Sequence, residues 1–223
     1  MRVIGPFEIG EVLARGGHAA VHVATWPEHP EANLVAKVAS PGHELLLHRE
    51  NSALREVEHP GVIAPTAFVD DATHAALLLP RAVCSLRAHV GRLDEHEVAH
   101  VATATSDALA ALHRAGIAHN DVTAGNILLM ADGSPVLADF GSTTRCTPDA
   151  ARGDVASLAR AALESLAPAE NGAIRAVLSA AAETPRSASA LADALRSCGV
   201  EPRRPDARAV APIRDEPPTM TLG

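Results

Sequence analysis

The chain has 223 residues, 47% of them apolar, and a formal net charge of −8, enough for one packed domain or two lobes sharing a cleft, with an acidic balance that argues against nucleic acid and anionic membrane surfaces as partners. Aromatic residues make up 2%, with no tyrosine, so the core falls to Leu, Val and Ala, and base stacking is not an available binding device. Cys84, Cys146 and Cys198 are far apart and odd in number; with no secretory apolar region at the start and no apolar run of membrane-spanning length, a cytoplasmic protein is expected.

In chain order, Phe7 to Leu13, Ala20 to Thr25 and Leu34 to Ala39 read as strands, with a turn at Pro27-Glu-His-Pro30. Leu13-Ala-Arg-Gly-Gly-His-Ala-Ala-Val21 forms a glycine-bearing hairpin between the first two, and Lys37 stands among apolar neighbours on the third. The spacing of Leu46, Leu47, Ala53, Leu54 and Val57 predicts a helix over about 44–57 that carries Glu50. Ile63 to Val69 and His74 to Leu79 read as a hairpin turning at 70–73, followed by Pro80-Arg81-Ala82. Helical segments are expected at 85–91 and 94–115, the second with a stripe through Val98, Val101, Ala102, Thr105, Leu109 and Leu112. Within it, His96-Glu-Val-Ala-His100 matches the zinc-protease pattern H-E-x-x-H. Both histidines fall roughly 160–200° around the helix from Val98, and no third ligand follows, so a solvated helix face is expected there rather than zinc.

The segment Ile117-Ala-His-Asn-Asp-Val-Thr-Ala-Gly-Asn-Ile-Leu-Leu129 is followed, after a turn at 131–135, by Val136-Leu-Ala-Asp-Phe-Gly141. Asp121 precedes Asn126 in one tight loop and Asp139 closes the next strand. Two carboxylates and a carboxamide around one cleft suit a divalent metal and a triphosphate, whereas two chance Asp-bearing turns would carry no chemistry.

These residues resemble the protein-kinase signatures H-R-D-x-x-x-x-N and D-F-G. The resemblance implies that Asp121 accepts or orients the proton of the acceptor hydroxyl and that Asn126 and Asp139 hold Mg2+ beside ATP. It further implies that the Gly16 and Gly17 hairpin covers the phosphates, although Ala14 and Ala19 stand where the family usually has glycine. Leu34-Val-Ala-Lys37 is similar to the strand V-A-I-K, which pairs Lys37 with Glu50 and aims the ammonium at the nucleotide. Ala82 becomes the backbone donor to adenine, since Pro80 has no N–H. Val21 and Ala36 are expected above the ring and Leu128 below it.

The family pattern is broken in three places. Only residues 142–153 separate Gly141 from Asp154-Val-Ala-Ser-Leu-Ala159, which resembles the start of the helix after the activation segment, and no Ala-Pro-Glu is present. Asn120 replaces the arginine that grips a phosphorylated loop, and Thr123 stands where Ser/Thr kinases carry a lysine. Further helices are expected at 155–166, 172–182 and 187–198, and residues 199–223 as a disordered Pro-rich tail. The implied architecture is a two-lobed α+β kinase-like fold over residues 1–198, with a β-rich N-lobe at about 1–79 and a helical C-lobe at about 83–198. It is similar to the bacterial Ser/Thr kinases in minimal form. The implied function is ATP-dependent phosphorylation of Ser/Thr hydroxyls on protein, the chain itself included. A small-molecule phosphotransferase and a nucleotide-binding pseudokinase acting through a partner remain open at this point. Thr219 with Leu222 resembles a ligand for a phosphothreonine-reading partner.

Overall fold

The structure, a computed structural model, describes residues 2–71 and 74–209. Strands β1 (Arg2–Ile4), β2 (Phe7–Arg15), β3 (Ala19–Thr25), β4 (Leu34–Ala39), β5 (Ala67–Asp70) and β6 (Ala75–Pro80) form one antiparallel sheet in the order β1-β2-β3-β4-β6-β5. Because side chains alternate across a strand, β4 sends Leu34, Ala36 and Val38 to one face, where they join Ile4, Phe7, Ile9, Ala24, Ala76 and Leu78 in a core of their own. The other face belongs to the larger core and is covered in part by helix α1 (Glu44–Arg55). The expected strand over 63–69 starts only at Ala67, because Ile63 N–H donates to the Leu137 carbonyl across the lobe junction at 3.0 Å. The turn expected at 70–73 lies partly outside the described residues.

The second lobe is mainly helical, built on α2 (Glu95–Arg114), α3 (Pro148–Ser165), α4 (Ala173–Glu183) and α5 (Ala188–Ser197). Helix α2 begins on a reciprocal cap, Asp94 accepting from Glu97 N–H and Glu97 accepting from Asp94 N–H. The helix expected at 85–91 is instead strand β7 (Cys84–Ser85) and one 3-10 turn at Leu86–His89. Helix α3 starts at Pro148, earlier than expected. Thr147 caps it by accepting from Ala150 N–H at 3.2 Å, and Pro148 presets the first helical φ. Asp154 therefore lies inside α3 rather than at its start. The short strands β8 (Ile117–Ala118), β9 (Ile127–Leu129), β10 (Pro135–Leu137) and β11 (Thr144–Arg145) line the lobe junction, ordered β10-β9-β7 and β11-β8.

Residues 199–209 are not the free tail that composition predicts. Arg203 pairs with Asp94, Arg204 Nη1 pairs with Asp132 Oδ2 at 2.6 Å, and Ala207 is 2% exposed, its carbonyl accepting from Cys84 Sγ. The Pro205 carbonyl stands against the place a Cβ on Gly133 would take, so only glycine admits the strap there. Two of the charges that make this stretch look unfoldable, Arg203 and Arg204, find partners on the folded lobe. The same strap corrects the reading of His96, whose face is not solvated throughout: its Nδ1 lies 2.8 Å from the Glu201 carbonyl, and its own carbonyl accepts from Arg203 N–H. Burial lowers the pKa of the neighbouring His100. Among the described residues no helix is long and apolar enough to cross a membrane, and no cluster of three or more His, Cys, Asp or Glu could hold a metal. Residues 210–223, with Thr219, Thr221 and Leu222, lie outside the described residues.

Candidate active site

Lys37 reaches the cleft because of its register. It lies opposite Val21 on β3 and Leu77 on β6, so these three side chains share the face turned toward α1. Its Nζ donates to Glu50 Oε1 at 2.9 Å and Oε2 at 2.7 Å, and to Asp139 Oδ1 at 2.8 Å. Glu50 is 3% exposed and also accepts from Phe140 N–H at 3.3 Å, which ties α1 to the second lobe. Burial alone would lower the Lys37 pKa, but the two carboxylates outweigh it and hold the ammonium above its ordinary value. Asp139 shows the converse: burial opposes ionisation, and Lys37 overrides it, leaving the carboxyl below its ordinary value.

The loop after β8 is held from behind. Asn120 has a left-handed backbone at φ 61°, and its N–H donates to Asp154 Oδ1 at 2.7 Å while His119 N–H donates to Asp154 Oδ2 at 2.8 Å. The His119 ring is buried, with Nε2 3.1 Å from the Ala138 carbonyl and Nδ1 accepting from Asp121 N–H at 3.3 Å. Both contacts are met by the neutral ring, in keeping with burial lowering its pKa. Phe140, 1% exposed, meets this ring edge-on at 4.9 Å.

Asp121 and Asn126 face each other across the loop. Asn126 Nδ2 donates to the Asp121 carbonyl and to Oδ2, each at 2.9 Å, which leaves Asp121 Oδ1 for another donor. Ala138 N–H donates to the Asn126 carbonyl at 2.9 Å, which joins the loop to the segment leading to Asp139. Asp139 sits at φ 60°, a conformation that costs a non-glycine residue about 1–3 kcal/mol and turns its carboxylate into the cleft. Among the described residues Asn126 Oδ1 and Asp139 Oδ2 accept no hydrogen bond. Two free oxygens of this kind fit magnesium, which takes one or two protein ligands and completes its octahedron with phosphate and water.

The expected adenine contacts divide. Val21 shares the face of Lys37, and Leu128, half-buried on β9, points opposite to Ile127 and Leu129. Ala36 does not belong with them. It is fully buried in the outer core of the sheet, because a residue adjacent to Lys37 on a strand must point to the other face. Val35, two residues before Lys37, takes the position instead and packs with Leu128 against the larger core. At the lobe junction Arg81 N–H donates to Asn33 and Val83 N–H to Leu129, while Ala82 N–H bonds nothing among the described residues. The hairpin of Gly16 and Gly17 is closed by Gly16 N–H on the Ala19 carbonyl at 2.9 Å. Nothing lies within 4 Å of where a Cβ on Gly17 would stand.

Residues 8–171 match the model of the protein kinase domain. The chain belongs to the protein kinase domain family. Among its relatives, human Serine/threonine-protein kinase TAO3 is 32% identical over 154 residues, 65% of this chain and 17% of that protein. Serine/threonine-protein kinase PLK4 of Aedes aegypti is 29% identical over 157 residues, 66% and 20% of the two chains. CBL-interacting protein kinase 4 of Oryza sativa subsp. japonica is 30% identical over 167 residues, 68% and 36%. The chain thus spans between 17% and 36% of the length of these relatives.

Within this kinase domain, Asp154 is the residue that sequence reasoning placed without finding its task. The segment after Gly141 is short and pinned: β11 pairs with β8, and Asn120 Nδ2 donates to the Ser142 carbonyl at 3.0 Å and to Thr144 Oγ1 at 2.8 Å. Asn120 therefore holds this segment through neutral hydrogen bonds.

Proposed function

We propose that this kinase domain transfers the γ-phosphoryl group of ATP to Ser or Thr hydroxyls on proteins, itself included, in the cytoplasm. The observation that carries the proposal is the bridge from Glu50 through Lys37 to Asp139 at 2.7–2.9 Å, beside the Asp121 and Asn126 pair. It brings a fixed cation, a candidate base and two free oxygens to one cleft. Lys37, aimed by Glu50, contacts the phosphates, and Asp121 Oδ1 takes the hydroxyl proton as the acceptor oxygen bonds to the γ-phosphorus and ADP leaves. Asn126 and Asp139 would hold magnesium, which when bound neutralises charge on the phosphate oxygens. Val21, Val35 and Leu128 line the adenine space, with Ala82 N–H as donor, and the backbone at Gly16 and Gly17 covers the phosphates. The names of the relatives support Ser and Thr as acceptors.

The test is incubation with γ-labelled ATP and magnesium, alone, with cell lysate, and with a metabolite pool, comparing wild type and Asp121→Asn. Label on Ser or Thr of protein that disappears in Asp121→Asn is the expected result. Label on metabolites alone would support a small-molecule phosphotransferase, a reading favoured by the short segment between Gly141 and α3. Intact nucleotide binding without any transfer would support a pseudokinase acting through a partner. Thr219 and Thr221 are the proposed self-modification sites, with phosphothreonine at 219 and Leu222 read by a partner protein. Mass spectrometry after incubation with ATP decides that part, and an unmodified tail on an active domain rules it out.

A further inference from the structure

Arg87 stands in the 3-10 turn after β7, and its backbone N–H donates to the Ala124 carbonyl at 2.8 Å, which fixes this turn against the loop that carries Asp121 and Asn126. Its side chain then folds over the next residue of that loop. A Cβ on Gly125 would stand 2.8 Å from one guanidinium nitrogen and 3.3 and 3.4 Å from two further guanidinium atoms. Gly125 is not among the glycines with positive φ, so its backbone does not require glycine. The contact is with the far end of the Arg87 side chain, and it places the guanidinium against this loop. Arg87 is nevertheless exposed, and among the described residues no carboxylate lies within ion-pair reach of it. In a chain of net charge −8, this cation lies beside the loop of Asp121 and Asn126 and has no acidic partner among the described residues.

We propose that Arg87 selects the acceptor: it binds an acidic side chain, Asp or Glu, a few residues from the Ser or Thr that is phosphorylated. Gly125 adjoins Asn126, whose Nδ2 is 2.9 Å from Asp121 Oδ2, so the guanidinium lies on the order of 10 Å from the carboxylate that takes the proton, given about 3.8 Å between successive Cα atoms. An extended peptide advances about 3.3 Å per residue, which puts the acidic residue two to four positions from the acceptor. A planar guanidinium suits a carboxylate through two parallel N–H donors. The overall acidity of the protein does not forbid this, since charges beyond about 8 Å are screened at physiological salt. The inference rests on the proposed acceptor chemistry at Asp121.

The test is binding of three fluorescent peptides, each with a central Ser, flanked on both sides by Asp, by Ala or by Lys, to the full chain with magnesium and a non-hydrolysable ATP analogue. The Asp-flanked peptide is expected to bind at least about five-fold tighter than the Ala-flanked one, as for a complementary charge in a protein interface. Arg87→Lys should keep that order with a smaller margin, and Arg87→Glu should reverse it toward the Lys-flanked peptide. Equal or undetectable binding of all three, or an unchanged order in Arg87→Glu, overturns the proposal. So does a loss of analogue affinity in Arg87→Glu with the peptide order intact, which would put Arg87 on the triphosphate. Because binding needs no transfer, an acidic preference without any phosphorylation would sink the proposed activity and leave Arg87 standing, and transfer without the preference would do the reverse.

Discussion

The Asp154 carboxylate and the Asn120 backbone, 34 positions apart, are joined by a 2.7 Å hydrogen bond that holds a left-handed residue one position before the candidate base. The other oxygen accepts from His119 N–H at 2.8 Å and lies 2.9 Å from His113 Nε2, and the side chain is 1% exposed. Asp154→Ala leaves the buried His119 N–H and the part-buried Asn120 N–H without partners, at about 1–3 kcal/mol for the first and less for the second, so a destabilisation of about 2 kcal/mol or more is expected. Chemical denaturation measures it. A loss below about 1 kcal/mol would show that the loop holds its own shape.

Magnesium-dependent ATP binding is expected to survive Asp121→Asn and to weaken strongly in Asp139→Ala, because the first removes a base and the second an oxygen ligand and a partner of Lys37. Calorimetric titrations with magnesium and with chelator separate the two. Equal affinity of wild type and Asp139→Ala in magnesium contradicts the assignment of Asp139.

Stability is expected to fall as pH drops below the ordinary histidine value of 6.5. Burial lowers the His119 pKa below that value, against the opposing charge of Asp154. Between 6.5 and the folded pKa the unfolded chain binds the proton and the folded chain does not, so acidification favours unfolding in that window. His59, His89 and His100 are lowered in the same sense, each by burial first. Melting temperature against pH should therefore slope less in His119→Gln than in wild type, and identical slopes would remove His119 as a contributor.

Alanine at Thr143, Thr144 and Thr147 together should leave turnover within a few-fold of wild type, since Asn120 brings no cation to a phosphate on this segment. A cost in stability of about 1–2 kcal/mol is expected from Thr147, the cap of α3, with a smaller share from the Thr144 contact to Asn120. Phosphate analysis of the purified protein with parallel rate measurements checks this. Loss of turnover in a variant that remains folded at the assay temperature would establish a need for phosphorylation here.

Removal of residues 199–223 should lower the melting temperature, because it uncovers the side of Cys84 that Ala207 closes and frees Asp94 and Asp132. Arg203→Ala and Arg204→Ala alone should cost at most about 1 kcal/mol each, as exposed pairs do. His96→Ala and His100→Ala should leave both metal content and activity unchanged. Scanning fluorimetry and elemental analysis read these outcomes, and stoichiometric zinc lost with either histidine would contradict them.

The elements nearest the site were legible because their signals are local. Leu34 to Ala39 has the bounds of β4, the spacing of Leu47, Ala53 and Leu54 marks the buried side of α1, and Asp121, Asn126, Asp139 and Phe140 stand at fixed offsets in short segments. The strap over residues 199–209 is not legible, because its partners Asp94 and Asp132 lie far from it in the chain. Ala36 is a different case: it adjoins Lys37 on β4, so alternation alone turns it to the opposite face and leaves Val35 on the face of Lys37. The early start of α3 is written locally in Thr147 and Pro148, a cap followed by a proline at the first helical position.

What the amino-acid order determined by itself is the set of chemical groups and the local elements that carry them, since periodicity and capping act over a few residues. Only the tertiary structure decided that Asp154 supports the loop carrying Asp121 and Asn126, that Arg203, Arg204 and Ala207 fasten residues 199–209 to the lobe, and that Arg87 lies on Gly125. Each depends on bringing together groups far apart in the chain, with the entropy of closing those loops offset by the folded core as a whole, and no local pattern encodes that closure.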